Sequence, residues 1–277
     1  MNIYTLIIWL FFTIFIVDSA SVASKSNSIS LNKISPKHYL KEVHQLYKDY
    51  FMLKYQNIYV SDQDELASAK KRISGNVNLT LSAILGYYGE ITIGNQTFNT
   101  LFDLGSSDLW TFKPIGTPFS IEYGPSSVIG ITGKDNVLVG GIKSVAQIFG
   151  LAQEADGDLF IEAEYDGIFG MGFDALSEIK TTTPFSNMVK QKAVTNPYFG
   201  LYLQRSNDHG DVGTLTLGDI DTTKFTGNLN YNNVSTTDGE YKYWIIDVDD
   251  ISINGNNLKF KNRKAILDTG NDNINAI

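Results

Sequence analysis

The sequence predicts an all-β protein of two lobes related by a pseudo-twofold, and three observations predict it. From Ala83 onward, short runs rich in Ile, Val, Thr, Tyr and Phe alternate with Gly and Asn turns, as in "YYGEITIGNQTFNTLFD", "SVIGITGKDNVLVGGI", "AQIFGLAQE" and "GTLTLGDID". One hairpin pattern occurs twice, in "EITIGNQTFNTLFDLG" and in "DISINGNNLKFKNRKAILDTG". With 277 residues, 43% hydrophobic and 12% aromatic, the chain is long and apolar enough to bury a core.

The N-terminus stands apart from this pattern. Ile3 to Val17 are almost all apolar, and Asp18 is followed by Ser19, Ala20, Ser21, Val22 and Ala23. The run is short for a membrane span, which needs about 20 residues. It reads as a secretory signal over 1–23, although no Lys or Arg precedes it; an uncleaved anchor is the alternative. Sequons at Asn78, Asn95 and Asn233 agree with entry into the secretory route. The expected location is therefore secreted or lysosomal/endosomal, with no stable membrane association.

Charge divides the remainder. Lys25 to Thr80 carries nine Lys+Arg against five Asp+Glu, a balance of +4, and Leu81 onward carries a balance of -11. A basic leader ahead of an acidic body suggests an intramolecular partner held by charge, with a solvated helix and a loop behind it as the alternative on charge alone. Within the leader, Tyr39, Leu40, Val43, Leu46, Tyr47 and Phe51 recur at helical spacing, and "ASAKKRISG" reads as an exposed basic hinge. The net charge of -8 excludes nucleic acid as a partner, because no basic stripe is available for phosphates.

One helix is expected in the body, near "TPFSNMVKQKAV", with Thr183 as its cap and Pro184 at its first position. Each copy of the hairpin has an Ile-x-Ile strand, a Gly–Asn or Asn–Gly turn, a returning strand, two apolar residues and then Asp-x-Gly. The copies end at Asp103 and Asp268. A single Asp-x-Gly is an ordinary turn signal. Two matched ones, each behind a buried approach, point to a carboxyl pair. Two such groups brought together cannot both ionise easily, so one proton is shared and one acts as acid while the other acts as base. A water between them can then attack an amide without metal or covalent intermediate.

Other chemistries have little support. No cysteine is present, which removes thiolate nucleophiles, thiolate metal sites and disulfides. His38 and His44 are six apart, off any shared helix face, and His209 sits in the polar turn "NDHGDVG". Asp247, Asp249 and Asp250 lack the spacing of a calcium loop. No metal and no cofactor are expected.

With these motifs in order, the chain resembles the pepsin-like aspartic proteases (peptidase family A1) over most of Ala83 to Gly270. "YYGEITIG" resembles the opening strand of the mature enzyme, and "FDLGSSDLW" the first active-site loop with its following tryptophan, here Trp110. "FSIEYGPSS" resembles the flap hairpin. "YDGIFGMG" resembles the segment that frames the first loop through Ile168, Phe169 and Gly170, and "AILDTG" the second active-site loop. The resemblance implies Asp103 and Asp268 as catalytic groups, with Gly105, Ser106, Thr269, Gly270 and Trp110 in support. Tyr123 and Gly124 would close over a polypeptide substrate. It also implies a monomer made as a zymogen: signal 1–23, basic propeptide 24–80, N-terminal catalytic lobe 81–221 and partial C-terminal lobe 222–277.

Several positions depart from the family pattern. Leu104 replaces the Thr or Ser whose hydroxyl helps cross-link the two loops, Asn271 replaces a Thr or Ser, and Pro125 and Ser126 alter the flap tip. Thirteen positions separate Trp110 from Tyr123, where the family has further strands, and the chain stops seven residues past Gly270. Two alternatives follow: a catalytically inactive relative that binds peptides or proteins, or an incomplete gene product.

Overall fold

The computed structural model describes residues 7–8 and 73–271, apart from 84, 113–116, 124–125, 157–159, 161–162, 205–211, 258 and 260–263. The chain divides into two compact units, and every described residue lies in the first, Met1–Trp9 with Asn57–Ile277. The leader helix, the basic hinge before Ile73, His38, His44, His209, Gly124 and Pro125 fall outside the described residues. The fold is all-β, as the sequence predicts. Among the described residues no helix is long and apolar enough to cross a membrane.

One eleven-stranded sheet carries most of the chain, in the order β1-β10-β11-β2-β3-β4-β9-β5-β8-β7-β6. Its members are β1 (Ile7–Ile8), β2 (Gly75–Leu81), β3 (Tyr87–Ile93), β4 (Gln96–Asp103), β5 (Leu109–Phe112), β6 (Thr117–Tyr123), β7 (Ser126–Val139), β8 (Ile142–Asp156), β9 (Gly167–Gly170), β10 (Phe199–Leu203) and β11 (Val212–Leu217). A further pairing of β3 with β7 folds the sheet back on itself. Alternation sets the faces: in β2, Val77 and Leu79 are buried while Asn76, Asn78 and Thr80 are exposed. β4 begins with the same alternation, and then Thr100 to Asp103 are all buried. There the strand runs between β3 and β9 with both faces covered.

β9 sets the site. It is inserted between β4 and β5, parallel to the first and antiparallel to the second, with Phe169 opposite Phe102 and Gly170 opposite Asp103. The Phe102 and Phe169 rings lie 5.0 Å apart. Asp103 is thus the last residue of a central buried strand.

The helix α1 (Pro184–Lys190) forms where the sequence places it, and the Thr183 hydroxyl accepts from the Ser186 amide at 3.4 Å. A smaller sheet follows in the order β12 (Val234–Thr237), β13 (Glu240–Asp247), β16 (Lys264–Ile266). It docks through Trp244, whose indole N–H donates to the Met171 carbonyl at 2.9 Å and whose ring lies 4.2 Å from Phe173 and 5.7 Å from Phe199.

The two hairpin copies differ in build. In the first, β3 and β4 pair over six residues across the Gly94–Asn95 turn. In the second, the Asn254–Gly255 turn has positive φ at both residues (50° and 78°), as a type I′ turn requires. It closes only the short β14 (Ser252–Ile253) and β15 (Asn256–Asn257), and β16 pairs with β13 instead. The reason is length: Asp268 lies thirteen positions beyond Gly255, whereas Asp103 lies eight beyond Asn95. The extra residues let the returning segment leave the hairpin and join another strand.

Candidate active site

The Asp103 and Asp268 loops meet end to end. A Cβ built on Gly105 would lie 2.5 Å from the Asp268 Oδ1, and one on Gly270 would strike the Asp103 carboxylate. Each glycine therefore packs against the opposite loop's carboxyl group, which no other residue type would allow at this distance. Within its own loop each carboxylate is held alike: the Gly105 amide donates to Asp103 Oδ1 at 2.8 Å, and the Gly270 amide donates to Asp268 Oδ1 at 2.9 Å. The Ser106 hydroxyl adds a 2.5 Å bond to Asp103 Oδ2.

Among the described residues, the Thr269 side chain ties the two loops together. The Thr269 hydroxyl accepts from the Leu104 amide at 3.0 Å and donates to the Phe102 carbonyl at 2.6 Å. Leu104 is 1% exposed and offers no hydroxyl in return. Below, β9 continues into backbone bonds with the first loop: Met171 N–H donates to the Asp103 carbonyl at 2.7 Å and Gly172 N–H to the Ser106 carbonyl at 2.8 Å.

The two carboxyl groups sit in different surroundings. Asp103 is 6% exposed, whereas Asp268 is exposed. Burial, reinforced by the Asp268 charge, pushes Asp103 up to about 7, against the opposing pull of its Ser106 and Gly105 hydrogen bonds. Burial and the neighbouring charge therefore both favour the protonated form of Asp103. The open side of Asp268 leaves that carboxylate accessible to water.

Beyond the pair lies an aromatic wall. Trp110, fully buried on β5, donates its indole N–H to the Tyr123 hydroxyl at 2.7 Å. Phe160 meets both rings edge-on, 5.3 Å from Trp110 and 5.8 Å from Tyr123. Tyr123 closes the β6–β7 hairpin opposite Ser126. Burial and then the Asp103 charge raise its hydroxyl well above the usual tyrosine range, so it stays protonated.

Sequence reasoning missed two contributors. Asp108 is 3% exposed and braces the end of the first loop, accepting from the Ser177 hydroxyl at 2.6 Å and the Glu178 amide at 2.7 Å. Burial raises its pKa while those bonds oppose the rise. Phe160 lies in the polar run "DGDLFIEAE", where no periodicity marks it. The first lies in "SSDLW" with no pattern to mark its burial, and nothing pointed to the second. Asp250, grouped by sequence with Asp247 and Asp249, accepts turn amides from Ile251 at 2.9 Å and Lys259 at 3.0 Å.

The fold and these crossed loops define an all-β protein with a two-carboxyl centre at the junction of its sheets. The sequence pattern of the family "Eukaryotic aspartyl protease" matches residues 111–276, and the chain belongs to that family. Its pepsin-like relatives include cathepsin E of Oryctolagus cuniculus, 36% identical over 210 residues (66% of this chain, 52% of the relative). Chymosin of Ovis aries is 36% identical over 214 residues (68% and 54%), and the probable vacuolar protease A of Arthroderma benhamiae is 35% identical over 210 (66% and 51%). The chain spans about half the length of the curated relatives it matches.

Proposed function

We propose that the chain is an aspartic-type endopeptidase whose catalytic residues are Asp103 and Asp268, acting on polypeptide held in an extended form beneath Tyr123. The observation that carries this reading is the crossed packing of the two loops, with each glycine against the opposite carboxylate. Water bound between the carboxyl groups gives a proton to Asp268 as its oxygen attacks the scissile carbonyl carbon. Asp103 gives its proton to the carbonyl oxygen, and a tetrahedral diol forms. Collapse of the diol breaks the C–N bond. The proton on Asp268 goes to the leaving nitrogen, and one diol proton returns to Asp103.

The same reading makes the chain a zymogen of the secretory route, with signal 1–23, propeptide 24–80 and lobes over 81–221 and 222–277. The +4 leader and -11 body support an intramolecular propeptide that acid releases as carboxylates protonate. The name of one relative, probable vacuolar protease A, accords with a lysosome-like site of action.

One observation favours a second reading. Leu104 gives no hydroxyl to the loop cross-link, so a relative that binds peptide without cutting it is the alternative. The deciding experiment expresses the chain without 1–23, lowers the pH to about 4, where a shared-proton pair works, and follows leader loss by mass and cleavage of an unfolded protein. Cleavage that disappears in Asp103→Asn supports the peptidase. Soluble, folded protein that binds peptides without cleaving them supports the binding protein.

A further inference from the structure

One buried polar atom beside the dyad has no use in the chemistry above. Tyr165 is 5% exposed, and its hydroxyl is buried without a hydrogen-bond partner. Buried tyrosine hydroxyls ordinarily find one. Phenylalanine would fill the same space and leave nothing unpaired.

The ring stands in the wall already described. It belongs to one cluster with Trp110, Ile121, Phe160 and Ile168, against which Tyr123 packs, and its ring lies 6.5 Å from that of Tyr88. The adjacent residue, Asp166, is held by three hydrogen bonds to Asn99 and Thr111. Asp166 N–H donates to the Asn99 carbonyl at 2.6 Å, Asn99 N–H donates to the Asp166 carboxylate at 2.9 Å, and the Thr111 hydroxyl donates to the Asp166 carbonyl at 3.2 Å. Tyr165 therefore has little freedom to turn its hydroxyl out to water. Burial, and after it the nearby Asp103 charge, pushes this hydroxyl up to about 12, so it remains a donor at every working pH.

We propose that Tyr165 is a specificity-determining residue whose hydroxyl donates to the side-chain carbonyl of a glutamine or asparagine flanking the scissile bond. The proposal rests on the peptidase reading, since it places this wall along a peptide cleft. An apolar side chain there would leave the hydroxyl unpaired. A carboxylate would meet the negative charge of the dyad, and an ammonium would shed its water against an apolar wall. A neutral amide supplies the acceptor without either penalty. Its entry opens the buried cluster, against which Tyr123 packs from the β6–β7 hairpin.

The test uses two non-cleavable peptides with a reduced scissile bond, identical except for Gln or its near-isostere Met beside that bond. Both are titrated at acid pH by calorimetry against the full chain lacking only 1–23 and against its Tyr165→Phe variant, with melting curves confirming that both fold. The expected result is a Gln-over-Met preference that falls about tenfold in the variant while Met-peptide affinity stays the same. Binding with the same preference in both proteins overturns the role of Tyr165 and leaves the peptidase reading standing. Failure of both proteins to bind either peptide overturns the two together. A preference for Lys in a third peptide of the series, lost in the variant, overturns the amide assignment.

Discussion

The Leu104 amide and the Thr269 hydroxyl, 165 positions apart in the chain, are joined by a 3.0 Å hydrogen bond, and the same hydroxyl holds the Phe102 carbonyl at 2.6 Å. The link between the two aspartate loops therefore runs in one direction. Thr269 reaches across to the first loop, and buried Leu104 returns no hydroxyl to the second. Stability and dyad geometry should both depend on this half-link.

Replacing Thr269 with Val removes the partner of one amide and one carbonyl. The expected cost is about 1–3 kcal/mol for each group left buried and unpaired, read as a lower urea midpoint. As Asp268 moves away, its charge raises Asp103 less. The Asp103 pKa then falls below about 7 yet stays above the ordinary carboxyl range, because burial is the larger cause. A carbon-13 titration of the carboxyl groups measures this.

Leu104→Thr should act in opposite senses on stability and turnover. Loss of buried apolar volume lowers stability by about 1–2 kcal/mol. A second hydroxyl at the loop crossing tightens the pair, and misplacement of order 1 Å is worth about 100-fold in rate. Higher acid turnover with a lower melting temperature is the expected outcome. Unchanged turnover would show that the missing hydroxyl does not limit the dyad.

Asp103 makes stability depend on pH with a definite sign. Its folded-state value, about 7, lies above the ordinary 3.8. Between these values the folded chain binds more protons than the unfolded one, so stability falls as pH rises from about 4 to about 7. The loss is on the order of a few kcal/mol. Asp103→Asn, which carries no charge at any pH, abolishes this component. Denaturation curves of the two proteins should converge near pH 4 and separate towards pH 7, with the variant the more stable.

Gly105→Ala and Gly270→Ala should each do what no surface substitution does. Either methyl group intrudes on the carboxylate of the opposite loop. The pair must spread, and acid turnover is expected to fall at least about 100-fold in both variants. A tolerated alanine at either position would remove the close approach on which the functional reading stands.

Asn78, Asn95 and Asn233 are all exposed, on β2, at the β3–β4 turn and just ahead of β12. Chain recovered from a eukaryotic secretory host should lose mass on treatment with a glycan amidase, and successive Asn→Gln changes should remove that loss stepwise. An unshifted mass would contradict the secretory reading.

The sequence by itself determined the local grammar of this protein: strand faces from alternation, turns from Asn and Gly, the cap of α1 from Thr183 and Pro184, and the two Asp-x-Gly loops. Those features depend on residues within a few positions of one another. The resemblance to a known family added the roles of Trp110 and Tyr123, which local pattern does not carry. Only the tertiary structure decided that the two carboxyl groups are unlike, Asp103 buried at the end of β4 beside β9 and Asp268 exposed. It also decided that Thr269 supplies a hydroxyl link between the loops, that β16 leaves its hairpin for β13, and that the Tyr165 hydroxyl ends unpaired beside the dyad. Burial and field are sums over groups brought from distant parts of the chain. The same short motif can therefore yield a buried acid in one loop and a solvated one in the other.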